Sequence, residues 1–333
     1  MMNTVASLAI PNYNGAGKIN IFLESLLKQN YPLDKVEVVI GDDASTDESL
    51  DVITSYLKKG LNIRIGKNET RKGRASALNL ALGMAQGEIV IICDNDFELA
   101  PYFILEHLKS HREESRTIVV GPLENRHERK YIYTDFLDWY QKKQNRLCMT
   151  NRESLPFIYF RANSSLKRSE FRNMDIFNEA FNAWGYEDVE CGYRLVKMGY
   201  KLKYNSRALV YHHLNETDFA VRCSRNYTCG KNKAIAVSQH PAMRYDIYCL
   251  KPDCRKISAR VNYFLRRAVC TAITHIPFIS EDAILKGFYR LTKLFERLGL
   301  KFPLFALYHC VSGLFLDVSY FKHSIKGKCG IRE

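Results

Sequence analysis

A chain of 333 residues that is 46% hydrophobic holds enough apolar mass for one large core and a little more, which excludes a disordered polymer. Its ten cysteines are scattered without a Cys-x-x-Cys pair, which excludes a zinc ladder and makes free thiols in a reducing compartment the expectation. The net charge of +13 is concentrated at one end: residues 251–333 carry fifteen Lys and Arg against six Asp and Glu, a net of +9, so an anionic partner for that tail is lipid or nucleic acid.

The N-terminus shows no basic segment ahead of a long apolar run, so no signal peptide is read there. VASLAI (5–10) is a short apolar run and predicts a buried strand. Residues 18–29 place Ile19, Phe22, Leu23, Leu26 and Leu27 at helical spacing. VEVVIG (36–41) predicts a second strand, residues 47–58 a helix opened by Ser45 and Thr46, and LNIRIG (61–66) a third strand. ASALNLALGMA (75–85) predicts a helix stopped by Gly87, and EIVIIC (88–93) a fourth strand. This alternation implies an α/β fold with a mostly parallel sheet covered on both faces. In such a sheet the ligand sits beyond the carboxyl ends of the strands.

From 115 to 215 the pattern is less regular. TIVVG (117–121) and ALVYH (208–212) read as short strands, and a helix follows GYED (185–188). A long helical stretch runs over 216–237, and the composition changes after His240-Pro241. The expected organisation is a catalytic domain over 1–245 and a basic, helical C-terminal region over 246–333.

Two predicted strands end in carboxylates, one in Asp42-Asp43-Ala44-Ser45-Thr46-Asp47 and the other in Asp94-Asn95-Asp96. A parallel sheet puts both loops on one edge, where a pair of carboxylates suits a hard divalent cation. Such a cation can neutralise a diphosphate leaving group. Taken singly, either loop reads equally well as helix-capping chemistry for Asp42 and Asp47; the two together favour a site.

LAIPNYNGAGKINIFLESLLKQNYP followed by VVIGDDASTDES, and then NETRKGRASALNLALGMAQGEIVIICDND, resembles the opening of family 2 glycosyltransferases over residues 5–100. The resemblance implies a GT-A fold, a nucleotide-sugar donor and a bound Mn²⁺ or Mg²⁺. By position it places Pro11 and Tyr13 at the base pocket, and Asp43 with Asp42 at the base or ribose. Asp94 and Asp96 are placed on the metal and diphosphate, with Asp96 the direct ligand. Arg71, with Lys72 beside it, falls where a basic residue meets the nucleotide.

Inverting transfer needs one base to take the proton of the attacking acceptor hydroxyl. FNAWGYEDVECGYRL (181–195) resembles the family's Glu-Asp motif, which makes Asp188 the base and Glu187 its support. A helix N-terminus there lowers a carboxyl pKa and weakens it as a base. Trp184 is a candidate stacking surface for the acceptor sugar, and Asn163 in YFRANSSLKR is the polar candidate lining the acceptor pocket. ALVYHHLNET resembles the strand whose His approaches the metal, and His212 fits that position better than His213. RNYTCGKNKA (225–234) extends the resemblance to about residue 240.

In the tail, ILKGFYRLTKLFERLG (284–299) sets Ile284, Leu285, Phe288, Leu291, Phe295 and Leu298 against a stripe of Lys286, Arg290, Lys293 and Arg297. This is the pattern of an interfacial helix on anionic lipid, or of a helix packed on the catalytic domain. FPLFALYHCVSGLFL (302–316) is too short to span a bilayer. The expectation is a cytoplasmic enzyme held peripherally at the membrane, near a saccharide or lipid-linked acceptor, with no nucleic-acid partner. A dinucleotide oxidoreductase fits worse, because Asn20 stands where the third Gly of its phosphate loop belongs. A sugar-phosphate nucleotidyltransferase lacks its basic Gly-rich loop here, and no nucleic-acid-binding motif is present. The alternative is a catalytically inactive nucleotide-binding relative or a sugar-phosphate nucleotidyltransferase.

Overall fold

The computed structural model describes residues 4–111, 115–129, 132–171, 175–214 and 219–243, with isolated positions between 290 and 320. Packing divides the chain into two units. The first is Met1–Arg129, Leu137–Asn182 and Glu187–Asn215; the second is Lys130–Phe136, Ala183–Tyr186 and Glu216–Glu333.

The first half of unit one alternates as its sequence implies: β1 (Ala6–Asn12), α1 (Ala16–Leu26), β2 (Val36–Asp42), α2 (Ser49–Lys58), β3 (Ile63–Lys67), α3 (Arg74–Met84) and β4 (Ile89–Ile92). These four strands lie parallel in the order β3-β2-β1-β4. β2 and β4 are buried along their whole length; β4 reads as an unbroken apolar run, and β2 as one interrupted by Glu37, whose carboxylate is buried and accepts from Ser7 Oγ and Gln86 N. β3 alternates buried and open positions because it is the edge strand. Successive residues face opposite sides, so Leu8 and Ile10 pack with Phe22, Leu23, Ile53 and Tyr56 of α1 and α2. Ala9 and Val39 pack with Leu78 and Ala81 of α3.

That second interface leaves no room at Gly41. A Cβ there would lie 1.8 Å from the Ala77 carbonyl oxygen, backbone of α3. Gly41→Ala is therefore expected to cost about 2–3 kcal/mol, the upper part of the overpacking range, because the helix must lift from the sheet. A urea midpoint equal to wild type would show that α3 rides freely on β2.

The second half is where the topology departs from simple alternation. It comprises β5 (Phe97–Leu99), α4 (Phe103–Lys109), β6 (Thr117–Val120), β7 (Leu123–Arg126), α5 (Ile132–Thr150), β8 (Ser164–Lys167), α6 (Glu187–Lys197), β9 (Lys201–Tyr204) and β10 (Val210–His213). The main sheet grows to β3-β2-β1-β4-β8-β6-β9, with β8 antiparallel to both neighbours. A separate three-stranded sheet, β5-β10-β7, sets β10 against the stretch that follows Asp96: His212 pairs with Phe97.

In unit two, α7 (Phe219–Gln239) carries the 183–186 segment. Asn232 Nδ2 donates to the carbonyls of Ala183 (3.2 Å) and Gly185 (2.6 Å), and Tyr133 meets Phe219 edge-on at 5.8 Å. Lys233 pairs with Asp317 at 3.5 Å, both almost wholly buried, so at least this part of the C-terminal region packs on α7. The amphipathic stretch 284–299 and the apolar stretch 302–316 lie outside the described residues except at scattered positions. Among the described residues no helix is long and apolar enough to cross a membrane.

Candidate active site

Parallel register brings the ends of β1 and β2 together, with Pro11 beside Gly41 and Asn12 beside Asp42. Asp42 does not face a ligand. It is fully buried and accepts hydrogen bonds from Asn12 Nδ2 (3.0 Å), Ser45 N (2.9 Å) and Ser45 Oγ (2.5 Å), holding a turn whose Ala44 has φ +61°. The expected nucleotide contact at Asp42 is thus corrected on burial: the carboxylate is fully enclosed and holds the loop. Asp47 is likewise a cap, accepting from Ala16 N at 3.1 Å and Ser49 N at 3.0 Å.

Asp43 points the other way. It takes hydrogen bonds from Asn68 Nδ2 (2.9 Å), Lys72 N (2.8 Å) and Gly73 N (2.7 Å). A carboxylate offers about four lone-pair positions, so one remains for a ligand. Its contacts set the start of α3, which has no capping side chain of its own. Gly73 is required there: φ is +100°, and a Cβ would sit 2.9 Å from the Asn182 carbonyl oxygen. The same loop lays the Arg71 guanidinium over the Tyr13 ring, 4.2 Å from its centroid, so these two residues form one surface. Tyr13 is 39% exposed, and Pro11 beside it is half-buried.

Beyond β4, Asp96 lies between Lys18 Nζ and His212 Nε2, each at 3.3 Å. Burial by itself would raise the Asp96 pKa; His212 and Lys18 outweigh it and hold the carboxyl at about 2. The Phe97 ring meets His212 edge-on at 5.5 Å and orients the imidazole. Its neighbour His213 points to the opposite face and pairs with Glu98 at 2.8 Å, as the strand period requires. Asp96 Oδ1 is buried with no hydrogen-bond partner, next to an imidazole nitrogen. An orphaned carboxylate oxygen beside imidazole fits a divalent cation, and the nitrogen favours Mn²⁺ over Mg²⁺. Among the described residues no three acidic, His or Cys side chains already converge on one point. Asp94, the third expected ligand, is turned to Arg74 instead.

Arg74, the first residue of α3, is the residue that sequence reasoning missed. Its Nη2 and Nε reach Asp94 Oδ1 at 2.8 and 3.1 Å, while Nη1 reaches Asp188 Oδ1 at 2.8 Å and Glu187 Oε1 at 3.1 Å. A signal was present: an Arg in the first turn of a helix opposes the macrodipole and needs a compensating anion. Arg71 and Lys72 drew attention instead because they lie in the loop proper.

Glu187 and Asp188 open α6, after two residues with positive φ, Gly185 and Tyr186. Burial, with Asp188 alongside, pushes the Glu187 carboxyl up to about 7 against the pull of Arg74. Burial also raises Asp188, reinforced by Asp94 and opposed by Arg74. The lowering expected from the helix N-terminus is therefore overridden, and Asp188 is a stronger base than its position in the helix suggests.

Asn163 does not line a pocket. It is fully buried at φ +67°; its amide donates to the carbonyls of Pro122 (2.8 Å) and Ala208 (2.9 Å), and its Oδ1 lies 2.9 Å from His107 Nε2. That Oδ1 must accept, so His107 carries its proton on Nε2 and its Nδ1 accepts from Ser165 Oγ at 2.8 Å. The acceptor role expected of Asn163 is corrected to that of a structural knot joining β8 to the loops after β6 and β9. Trp184 belongs to the second unit, half exposed, with the Arg225 guanidinium 5.6 Å above its ring.

The profile described as Glycosyl transferase family 2 matches residues 7–174. Chondroitin synthase of Pasteurella multocida (strain Pm70) is 28% identical over 264 residues, covering 65% of this chain and 26% of that protein. The Staphylococcus aureus poly(ribitol-phosphate) beta-N-acetylglucosaminyltransferase TarS is 40% identical over 91 residues, 27% of this chain and 16% of the relative. The chain thus spans about a quarter or less of the length of these relatives. Among solved structures, a mannosyltransferase from Pyrobaculum calidifontis in complex with GDP-Man and Mn²⁺ superposes with a TM-score of 0.62 at 20% identity, covering 96% of this chain and 86% of that one. TarS 1–349 in complex with UDP superposes with a TM-score of 0.51 at 18% identity, covering 98% and 92%. These likenesses show the shared GT-A fold.

Proposed function

Since the chain belongs to glycosyl transferase family 2, we propose that it moves a sugar, with inversion, from a nucleotide-sugar to a hydroxyl of a saccharide or lipid-linked acceptor during surface polysaccharide or glycolipid synthesis. One observation carries this reading: Asp94 of the acidic loop and Asp188 of the Glu-Asp pair both lie within hydrogen-bond distance of one guanidinium. On this reading the donor-side and acceptor-side carboxylates meet at one guanidinium.

In this scheme the nucleotide base lies against Tyr13 and Arg71, with Asp43 accepting its remaining hydrogen bond. A divalent cation, Mn²⁺ by the donor set, would be held by Asp96 and His212, where it would supply positive charge against the diphosphate. Asp188 takes the proton of the acceptor hydroxyl as that oxygen bonds to the anomeric carbon. The bond from that carbon to the diphosphate breaks on the opposite side, and the diphosphate leaves with the electron pair. Glu187, protonated below about 7, keeps its carboxyl beside the base without adding a full second charge. Trp184 is proposed as the platform for the acceptor sugar. The net charge of +9 over residues 251–333 supports peripheral attachment to an anionic membrane on its cytoplasmic face.

The test is calorimetry of the purified chain with UDP, GDP and dTDP, each with and without Mn²⁺. UDP comes first, because TarS, 40% identical over the stretch it shares, has been crystallised with it. One nucleotide is expected to bind at least about tenfold tighter with Mn²⁺, some 1.4 kcal/mol. No binding by any of the three would overturn the reading in favour of an inactive relative.

A further inference from the structure

Resting on the assignment of Asp188 as base, we infer that Arg74 is a positioning residue for it: the guanidinium ties the Asp188 carboxylate to Asp94, so one side chain sets the base relative to the donor-side loop. Three features carry this. The tie is planar and divided. Nη2 and Nε share a single oxygen of Asp94, and Nη1 is left for Asp188 and Glu187. Its root is fixed, because Arg74 follows Gly73, whose backbone N–H is bound by buried Asp43 and whose α-carbon abuts the Asn182 backbone. Its partners are half-hidden: the side chains of Arg74 and Asp188 are 26% and 23% exposed, so water competes weakly for these contacts.

The geometry also separates positioning from simple charge. A Lys ammonium is a point charge and cannot span two carboxylates set at the two ends of a guanidinium plane. Without the fork, Asp188 keeps the like groups Glu187 and Asp94 nearby and loses the cation that holds it to them. The base then loses a fixed orientation towards the acceptor hydroxyl while the nucleotide pocket at Tyr13, Arg71 and Asp43 stays intact.

The experiment compares Arg74→Gln, Arg74→Lys and Asp188→Asn in the full chain. Turnover is read as nucleoside diphosphate released from UDP-glucose, UDP-N-acetylglucosamine or GDP-mannose with Mn²⁺, and affinity as the Kd of the matching diphosphate. Arg74→Gln is expected to lower kcat at least about tenfold with Kd within about threefold. Arg74→Lys should recover only part of the loss. Wild-type kcat in Arg74→Gln, full recovery in Arg74→Lys, or an effect on Kd alone would overturn the inference. Full turnover by Asp188→Asn would instead sink the base assignment beneath it. The tie is also read without turnover: the urea-midpoint effects of Asp94→Asn and Asp188→Asn should be non-additive in the wild-type background and additive in Arg74→Gln. Additivity in both backgrounds would show that no tie exists.

Discussion

Asp188→Asn is expected to lower sugar transfer by about 10²–10⁴-fold, the range for losing a general base, while Mn²⁺-dependent nucleotide binding survives. Asn has nearly the shape of Asp, and its carbonyl oxygen can still accept from Arg74 Nη1, which lies 2.8 Å from Asp188 Oδ1. What the amide cannot do is accept the acceptor's proton. The environment makes this loss large, because burial raises the Asp188 pKa and so strengthens the carboxylate as a base. The sign of the pH effect follows. Asp188 works only when ionised, so wild-type activity falls on the acid side, through a pKa above the ordinary 3.8. Asp188→Asn should show a low rate without that acid limb. Transfer at the wild-type rate would remove Asp188 from the mechanism and leave Glu187 as the base.

Asp96→Ala is expected to weaken Mn²⁺-dependent nucleotide binding by at least about 100-fold, the upper end of what even an outer-shell partner of a metal costs. Asp96 is buried yet held at about 2 by His212 and Lys18, so it is a full anion at neutral pH. Removing it takes away the orphaned Oδ1 and leaves Lys18 without its counter-charge at the cation's place. Binding of the nucleotide without metal should change far less. Calorimetry of the variant with and without Mn²⁺ decides the point, and an unchanged metal dependence would mean that Asp96 serves only to pin Lys18 to His212.

The two aspartate loops illustrate how much of the site could be read in advance. Asp42 and Asp43 are adjacent in an acidic loop, and sequence gives no reason to separate them. Strand alternation does: one side chain turns to the end of β1 and the loop after β2, where Asn12 and Ser45 hold it, and the other turns towards the 68–73 loop. His212 and His213 differ for the same reason, one on Asp96 and the other on Glu98. Asn163 was misplaced because a buried polar knot and a pocket residue look alike in a string of letters. Only its five partners, the loop carbonyls of Pro122 and Ala208, His107, Ile92 and Gly121, reveal which it is.

The β-α alternation over residues 5–93, the parallel sheet it implies and the acidic loops at its carboxyl edge were determined by sequence alone, because hydrophobic period and strand-terminal carboxylates are local properties. The antiparallel β8, the 19-residue α5 and the three-stranded sheet that brings His212 to Asp96 were decided by tertiary structure. β5 and β8 are three and four residues long and α5 is a polar helix, so none carries a period strong enough to read, whereas β10 is legible as a short strand but its pairing with β5 is not. Arg74 is the sharpest case. It stands 20 residues from Asp94 and 114 from Asp188, and no local pattern links them. Only the folding of α3 and α6 onto one sheet edge puts three carboxylates within reach of a single guanidinium.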